Sequence, residues 1–151
     1  MKTILIVGAG NYQMAVIRRA KELGLRVVAV DRNAEAPAFR LADVSRVLDF
    51  VDADVLLEVV RDLEIDGVTT VQAERAVPVI ARVAEALGLP GIGVDTAEKM
   101  TNKVKMREQL AAASLPQPRF AHLRTTEESQ QAIEEIGLPA VLKPADASGQ
   151  S

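Results

Sequence analysis

The sequence predicts an α/β protein whose first 94 residues form a three-layer, doubly wound parallel sheet, with helices on both of its faces. Two observations lead to this fold class. Short apolar runs rich in β-branched residues, typical of parallel strands buried on both faces, recur along this region. Segments with apolar residues at helical spacing separate these runs. The alternation predicts five strands in the order 3-2-1-4-5.

The first β-α-β unit is predicted within the first 31 residues. An apolar run at residues 4–7 ends at Gly8 and predicts the first strand, and residues 27–30 repeat the pattern for the second. Between them, helical periodicity predicts a helix over residues 12–23. Gly24 supplies the helix stop, because glycine tolerates the left-handed backbone that often closes a helix. A right-handed crossover should join the two strands.

The same alternation continues to residue 94. The remaining predicted strands cover residues 44–48, 67–71 and 92–94, and the remaining helices cover residues 53–63 and 76–87. Asp52 stands where a side-chain oxygen can cap the first of these helices, and Gly88 ends the second. The fifth strand follows a Leu-Pro-Gly turn and is the shortest of the set.

Beyond residue 94 the sequence predicts a connector and then a partial α/β unit. Residues 95–118 are predicted to form two short helices and a proline-containing linker, the second helix capped by Thr101 or Asn102 and running to about residue 113. Residues 119–151 are then expected to form a strand at 119–123, a helix at 126–136 and a strand at 140–143. The last residues are those of a glycine-containing loop that the sequence leaves incomplete.

Composition excludes several functional classes. The net charge is -3, so the chain lacks the basic field that binding to nucleic acid requires. It contains no cysteine and one histidine, His122, which makes a structural metal site improbable. Neither a signal-peptide core nor an apolar run of membrane-spanning length is present in the sequence. We therefore expect a cytoplasmic protein that binds small molecules.

A glycine turn follows the first predicted strand. Gly8 and Gly10 let the backbone turn sharply and approach a ligand, and the start of the next helix favours an anion. Asn11 and Tyr12 continue the turn. Gln13 stands where the dinucleotide-binding fingerprint has its third glycine, which weakens an NAD interpretation. A turn that only connects a strand to a helix is an equally good reading.

Two acidic residues follow other strands of the predicted sheet. Asp31 stands where a dinucleotide-binding domain places its ribose-binding acid, although a structural role in a turn is at least as well supported. Glu74 follows the fourth strand, and the strand order predicts that it faces the Gly8–Gln13 turn across the switch-point crevice. There it could orient an amine or hydroxyl substrate. The alternative is an ordinary acid in the first turn of a helix.

Basic residues at two places suggest an anion site. Lys103, Lys105 and Arg107 lie at the start of a predicted helix, where cations oppose the helix dipole, so either an anionic ligand or a solvated basic face is indicated. Lys143 ends the last apolar run and precedes a loop of small residues. An ammonium group and loop N–H groups in this arrangement suit a phosphate.

Four blocks in the second half of the chain together resemble the ATP-grasp superfamily. Thr-Asn-Lys at residues 101–103 resembles the entry to the ATP-grasp domain, and Leu-Pro-Gln-Pro at 115–118 resembles the family's proline-containing turn. Residues 136–144 are similar to the strand that carries a nucleotide-contacting lysine. Residues 145–151 resemble the start of the glycine-rich loop that closes over phosphates. Residues 1–94 look like the Rossmann-like preATP-grasp domain, and residues 119–151 like the beginning of the ATP-grasp domain.

The resemblance implies a ligase in which ATP and Mg²⁺ convert a carboxylate to an acyl phosphate, which an amine then attacks. By this resemblance the ATP-binding residues are Lys103, Lys143, Ser148 and Gly149. The substrate-binding residues are Gly8, Gly10, Asn11, Tyr12, Gln13 and Glu74. The family's magnesium ligands lie downstream of the glycine loop, so the chain is expected to contain no metal ligand or catalytic residue and to be inactive alone.

Three functions remain open at this point. The first is the amino-terminal part of an ATP-dependent ligase, with ATP and a small carboxylate or amine substrate as partners. The second is the NAD(P)-binding domain of an oxidoreductase, and the third is a non-catalytic binding or dimerisation module. Gln13, together with the pairing of Lys103 and Lys143, favours the ligase. The sequence predicts neither a nucleic-acid nor a membrane partner and leaves a homodimer open.

Overall fold

The computed structural model describes residues 1–146. The chain forms two compact units, Met1–Glu98 and Lys99–Ser151. The first unit contains a parallel sheet. Its strands are β1 (Thr3–Val7), β2 (Arg26–Asp31), β3 (Val44–Val47) and β4 (Gly67–Thr70). The strand order is β3-β2-β1-β4, and every neighbouring pair is parallel. The predicted α/β fold class is confirmed.

Helices cover both faces of this sheet. They are α1 (Gln13–Glu22), α2 (Ala53–Val60) and α3 (Val77–Ala86), with short 3-10 helices at Pro37–Leu41 and Glu74–Ala76. Alternate strand residues point to opposite faces. Leu5, Val7, Val28 and Val30 therefore pack with buried residues of α2 and α3, and Ile6, Val27 and Ala29 pack with α1. Asp52 caps α2 as predicted, accepting a hydrogen bond from the Asp54 amide at 2.9 Å.

The fifth predicted strand, at residues 92–94, does not form. Gly93 has a φ of +80°, a left-handed conformation that interrupts an extended chain. The Val94 amide donates to the Glu85 carboxylate at 2.8 Å, so it is not available for pairing with a strand. Val94 instead begins helix α4 (Val94–Thr101). The described sheet consequently has four strands rather than five.

The described part of the second unit is built around two helices, α5 (Lys103–Ala112) and α6 (Ser129–Ile136). Of the two residues predicted as the possible cap of α5, Thr101 and Asn102, it is Asn102 that caps the helix. Helix α6 begins three residues later than the predicted start at Thr126, because residues 124–128 form bends and turns. The strands predicted at 119–123 and 140–143 are irregular, and Val141 and Leu142 are about four-fifths exposed. Without paired neighbours, short strands are only marginally stable in water.

The division between the two units falls inside α4, after Glu98. None of the helices within residues 1–146 has the length and apolar character that a membrane crossing requires.

Candidate functional site

The glycine turn lies at the carboxyl end of the sheet, directly after β1. The Gly8 amide donates to the Val30 carbonyl at 2.8 Å, and Gly8 has a φ of +94°, which favours glycine over any residue with a side chain. Asn11 and Tyr12 are exposed, and 69% of Tyr12 is open to solvent. The turn therefore presents its middle residues to any ligand that enters from this edge of the sheet.

Gln13 differs from its neighbours in the turn because its side chain is buried, with 5% exposure. Its Nε2 atom donates a hydrogen bond to the backbone carbonyl of Val71, which follows β4. The Thr70 hydroxyl, at the end of β4, donates to the carbonyl of Val7, at the end of β1, at 2.7 Å. One bond thus joins the start of α1 to the β4 loop and the other joins β4 to β1, so the structure brings the glycine turn and the β4 loop together.

Asp31 supports the turn from the other side. One of its carboxylate oxygens accepts a hydrogen bond from the Ala9 amide at 2.7 Å, and the other accepts from the Asn33 amide at 2.9 Å. Both oxygens are thus engaged with backbone donors, and one of these donors belongs to the glycine turn itself. This arrangement favours the structural role for Asp31 over ribose binding, and the NAD-binding alternative gains no support.

The β4 loop contains Gln72 and Glu74. Gln72 has a φ of +53°, an uncommon conformation for a residue other than glycine and one that recurs at functional sites. Glu74 is exposed and begins the 3-10 helix that precedes α3. It follows β4, as the sequence predicted. That it faces the Gly8–Gln13 turn and contacts a substrate remains a prediction.

In the second unit, the start of α5 meets the last described residues. The Lys103 amide donates to the Ala145 carbonyl at 2.8 Å. The next two amides, of Val104 and Lys105, both donate to Asn102 Oδ1 at 3.0 Å. The first three N–H groups of α5 are therefore already satisfied. Attraction of an anion to this end of the helix would have to come from side chains rather than from free backbone donors.

Two of the predicted ATP-binding residues, Lys103 and Lys143, are described in this unit, and their binding of ATP remains a prediction. Lys143 is exposed and lies two residues before Ala145, and Lys103 is half-buried at the start of α5. Lys105 is exposed, and the Arg107 guanidinium lies 3.4 Å from Gln117 Oε1. Ser148 and Gly149 lie outside the described residues.

A separate open cavity of about 380 Å³ occupies another part of the second unit and includes neither lysine. Glu128, which lines it, accepts a hydrogen bond from the Arg124 amide at 2.7 Å. This bond lowers the pKa of the Glu128 carboxyl below its ordinary value. Residues 1–146 contain no group of three or more acidic, histidine or cysteine side chains placed to hold a metal ion.

Three residues that were not among the predicted site residues take part in the two regions described above. Val71 accepts the hydrogen bond of Gln13, Gln72 has the left-handed backbone, and Ala145 binds the start of α5. Their roles depend on backbone atoms, which any residue type provides, so the sequence carries no signal for them. The β4 loop as a whole could be found, because strand order places it beside the glycine turn.

Comparison with known proteins identifies a family and several relatives. Residues 17–91 match the ATP-grasp N-terminal domain family. The formate-dependent phosphoribosylglycinamide formyltransferase of Synechococcus sp. (strain CC9605) is 38% identical over 155 residues, which cover 99% of this chain and 39% of that protein. The enzyme of the same name from Vibrio cholerae serotype O1 (strain ATCC 39315) is 35% identical, with 98% and 39% covered. The chain thus spans about two-fifths of the length of these relatives.

Solved structures with a similar fold are also known. Phosphoribosylglycinamide synthetase from Anaerococcus prevotii superposes with a TM-score of 0.76 and 31% identity, over 91% of this chain and 35% of that one. N5-carboxyaminoimidazole synthetase from Staphylococcus aureus, solved with ADP, gives a TM-score of 0.78 over 97% and 39%. Its 20% identity supports the fold alone. The relatives are ATP-grasp ligases, and this chain, whose residues 17–91 match the ATP-grasp N-terminal domain, belongs to the ATP-grasp superfamily.

Proposed function

We propose that the chain is the amino-terminal part of an ATP-dependent ligase that activates formate and joins it to the amine of phosphoribosylglycinamide. The proposal of these substrates rests on the formate-dependent formyltransferases, whose similarity extends over 97% or more of this chain in each of the eight relatives compared. The wider class, a carboxylate–amine ligase, rests on the superfamily.

The observation that carries the proposal is the hydrogen bond between the Lys103 amide and the Ala145 carbonyl. It joins the start of α5 to the segment that holds Lys143, so two predicted ATP-binding lysines belong to backbone segments in direct contact. In the proposed site, both ammonium groups bind ATP from these segments, at its phosphates or on the adenine side. Ser148 and Gly149, which follow in the sequence, would add N–H and hydroxyl donors to a phosphate.

Within the first unit, a substrate-binding region is proposed at the glycine turn and the β4 loop. Gly8, Gly10, Asn11 and Tyr12 would hold phosphoribosylglycinamide through backbone and side-chain donors, and Gln13 would shape the pocket. Glu74, with a carboxylate after β4, would accept a hydrogen bond from the substrate's amine or hydroxyl groups. Support for this placement comes from the general position of ligand sites in such sheets, at the carboxyl ends of neighbouring strands.

The proposed reaction has two steps. A formate oxygen attacks the γ-phosphorus of ATP, the bond to the β-phosphate oxygen breaks, and formyl phosphate and ADP result. The substrate's amine nitrogen then attacks the formyl carbon, releasing inorganic phosphate and a proton. Lysine ammonium groups offset the charge of the transferring phosphoryl group. When bound, Mg²⁺ would screen the charge of the transferring phosphoryl group, and we propose that its ligands lie outside residues 1–146.

The proposal can be tested on the full product of the reading frame that encodes this chain. ADP formation should require both formate and phosphoribosylglycinamide. Lys103→Ala and Lys143→Ala should each reduce kcat/KM for ATP about 10- to 100-fold, the loss expected when a charged hydrogen bond is removed. Lys2→Ala is the matched control. Lys2 is an exposed lysine that directly precedes the amino end of β1, whereas the glycine turn follows the carboxyl end of this strand. ADP formation that is independent of both substrates would reject the proposal.

A further inference from the structure

We propose that Gln13 is a positioning and specificity-determining residue, which closes the glycine turn to diphosphate groups and fixes the β4 loop. The inference deepens the proposed function and rests on it for the identity of the substrate. A glutamine at this position could have been no more than a surface side chain at the start of α1. Its burial, its contacts with both glycines and its bond to another loop give it a more specific role.

The closing role follows from the space that the Gln13 side chain occupies. A Cβ atom placed on Gly8 would lie 3.2 Å from Gln13 Cδ, and one placed on Gly10 would lie 3.2 Å from Gln13 Oε1. The carboxamide therefore lies against both glycines, on the side where each lacks a side chain. In dinucleotide-binding turns, glycines keep this region open so that the backbone can approach a pyrophosphate. Here the same region is already filled.

The positioning role follows from the hydrogen bond that Gln13 Nε2 donates to the Val71 carbonyl. Val71 directly precedes Gln72, whose left-handed φ of +53° is unfavourable for a residue with a side chain. Such a conformation persists when surrounding contacts hold it, and the bond from Gln13 is such a contact on the preceding residue. Glu74 lies two residues after Gln72. By holding Val71, Gln13 therefore fixes the start of the loop segment that leads to the Glu74 carboxylate.

Two substitutions separate the roles. Gln13→Gly removes the side chain and completes the three-glycine pattern at residues 8–13, so it should both open the turn and release Val71. Gln13→Met retains nearly the same length and volume but cannot donate a hydrogen bond. It should keep the turn closed while releasing Val71. Gln13→Ala is a second variant that should open the turn, and alanine favours the helix more than glycine does. Circular dichroism establishes that each variant is folded.

The first measurement is calorimetric titration of the 151-residue chain with inorganic pyrophosphate. We expect the Gly and Ala variants to bind pyrophosphate at least about tenfold more tightly than the wild type, and the Met variant to match the wild type. Equal affinity in all four proteins, or a gain in the Met variant, would overturn the closing role. This result does not depend on which reaction the protein catalyses.

The second measurement is steady-state kinetics with the full product of the reading frame. Both Gln13→Met and Gln13→Gly should raise KM for phosphoribosylglycinamide about tenfold while leaving KM for ATP unchanged, a separation that general loss of stability would not produce. An unchanged KM for phosphoribosylglycinamide in the Met variant would overturn the positioning role. If the wild type has no ligase activity, the proposed function fails, and the pyrophosphate titration still decides whether Gln13 closes the turn.

Discussion

The two units of the chain differ in how their apolar residues are used. In residues 1–98, the central strands β1 and β2 are almost wholly buried, and α1, α2 and α3 each contribute buried residues to one of two clusters. In the described part of residues 99–151, Ala132 is the buried hydrophobic residue, and α5 has none. The apolar residues Leu138, Val141 and Leu142 are more than 70% exposed.

This difference explains where prediction from sequence succeeds. An apolar run is converted into a buried strand only when neighbouring strands and helices are available to cover it, and the first unit supplies both within 98 residues. Residues 140–143 have a similar apolar composition but lack such neighbours among the described residues. The local sequence pattern indicates which secondary structure a segment can form, whereas neighbouring strands and helices determine whether it forms.

The largest effect should come from removing a core side chain of the first unit. Leu56 is fully buried between the sheet and α3, so Leu56→Ala should lower the free energy of unfolding by about 2–5 kcal/mol. Leu142→Ala, at an 81% exposed position, is the matched control and should change it by less than about 0.5 kcal/mol. Urea denaturation followed by circular dichroism measures both. Similar losses would contradict the contrast between the units.

A smaller effect is expected in the second unit, at the cap of α5. Asn102→Ala removes the acceptor for the amides of Val104 and Lys105 and should destabilise the helix by about 1 kcal/mol. Asn102→Asp retains an acceptor and serves as the control. Hydrogen exchange should speed up at residues 103–106 in the alanine variant alone. If protection in the first unit fell equally, the effect would not be local.

A weaker, pH-dependent effect is expected at Asp43 in the first unit. The Lys21 ammonium, 2.5 Å away, and the Val27 amide hold the pKa of this carboxyl below its ordinary value of 3.8. A lowered folded-state pKa stabilises the protein above pH 3.8, and this contribution is lost as the pH falls through the folded pKa. Asp43→Asn should therefore cost under about 1 kcal/mol at pH 7 and less at pH 3, by urea titration at each pH. An equal cost at both would refute the linkage.

The smallest signal is expected from Mg-ATP binding to the 151-residue chain alone. Lys143 is exposed, and a contact between exposed charges contributes about 1 kcal/mol or less. We therefore expect calorimetry to give a dissociation constant above about 1 mM and assays to give no ligase activity. Micromolar binding that Lys103→Ala and Lys143→Ala leave unchanged would place the nucleotide site elsewhere in the chain.

Several parts of the site were predictable and others were not. Strand order alone indicated that the glycine turn and the β4 loop lie together, because parallel strands end at the same edge of a sheet. Residue type narrowed the cap of α5 to Thr101 or Asn102, and the structure selects Asn102. By contrast, the bonds to Val71 and Ala145 use backbone carbonyls, and the failure of the strand at 92–94 depends on a carboxylate from Glu85. Such contacts arise from tertiary structure and leave no local pattern.

The most direct test of the central claim follows an oxygen atom through the reaction. If the full product of the reading frame activates formate by phosphorylation, one oxygen of ¹⁸O-labelled formate must be transferred to inorganic phosphate in each turnover with ATP and phosphoribosylglycinamide. Mass spectrometry of the released phosphate should therefore show one ¹⁸O atom per molecule of formylated product. Turnover that releases only unlabelled phosphate would contradict an acyl-phosphate ligase.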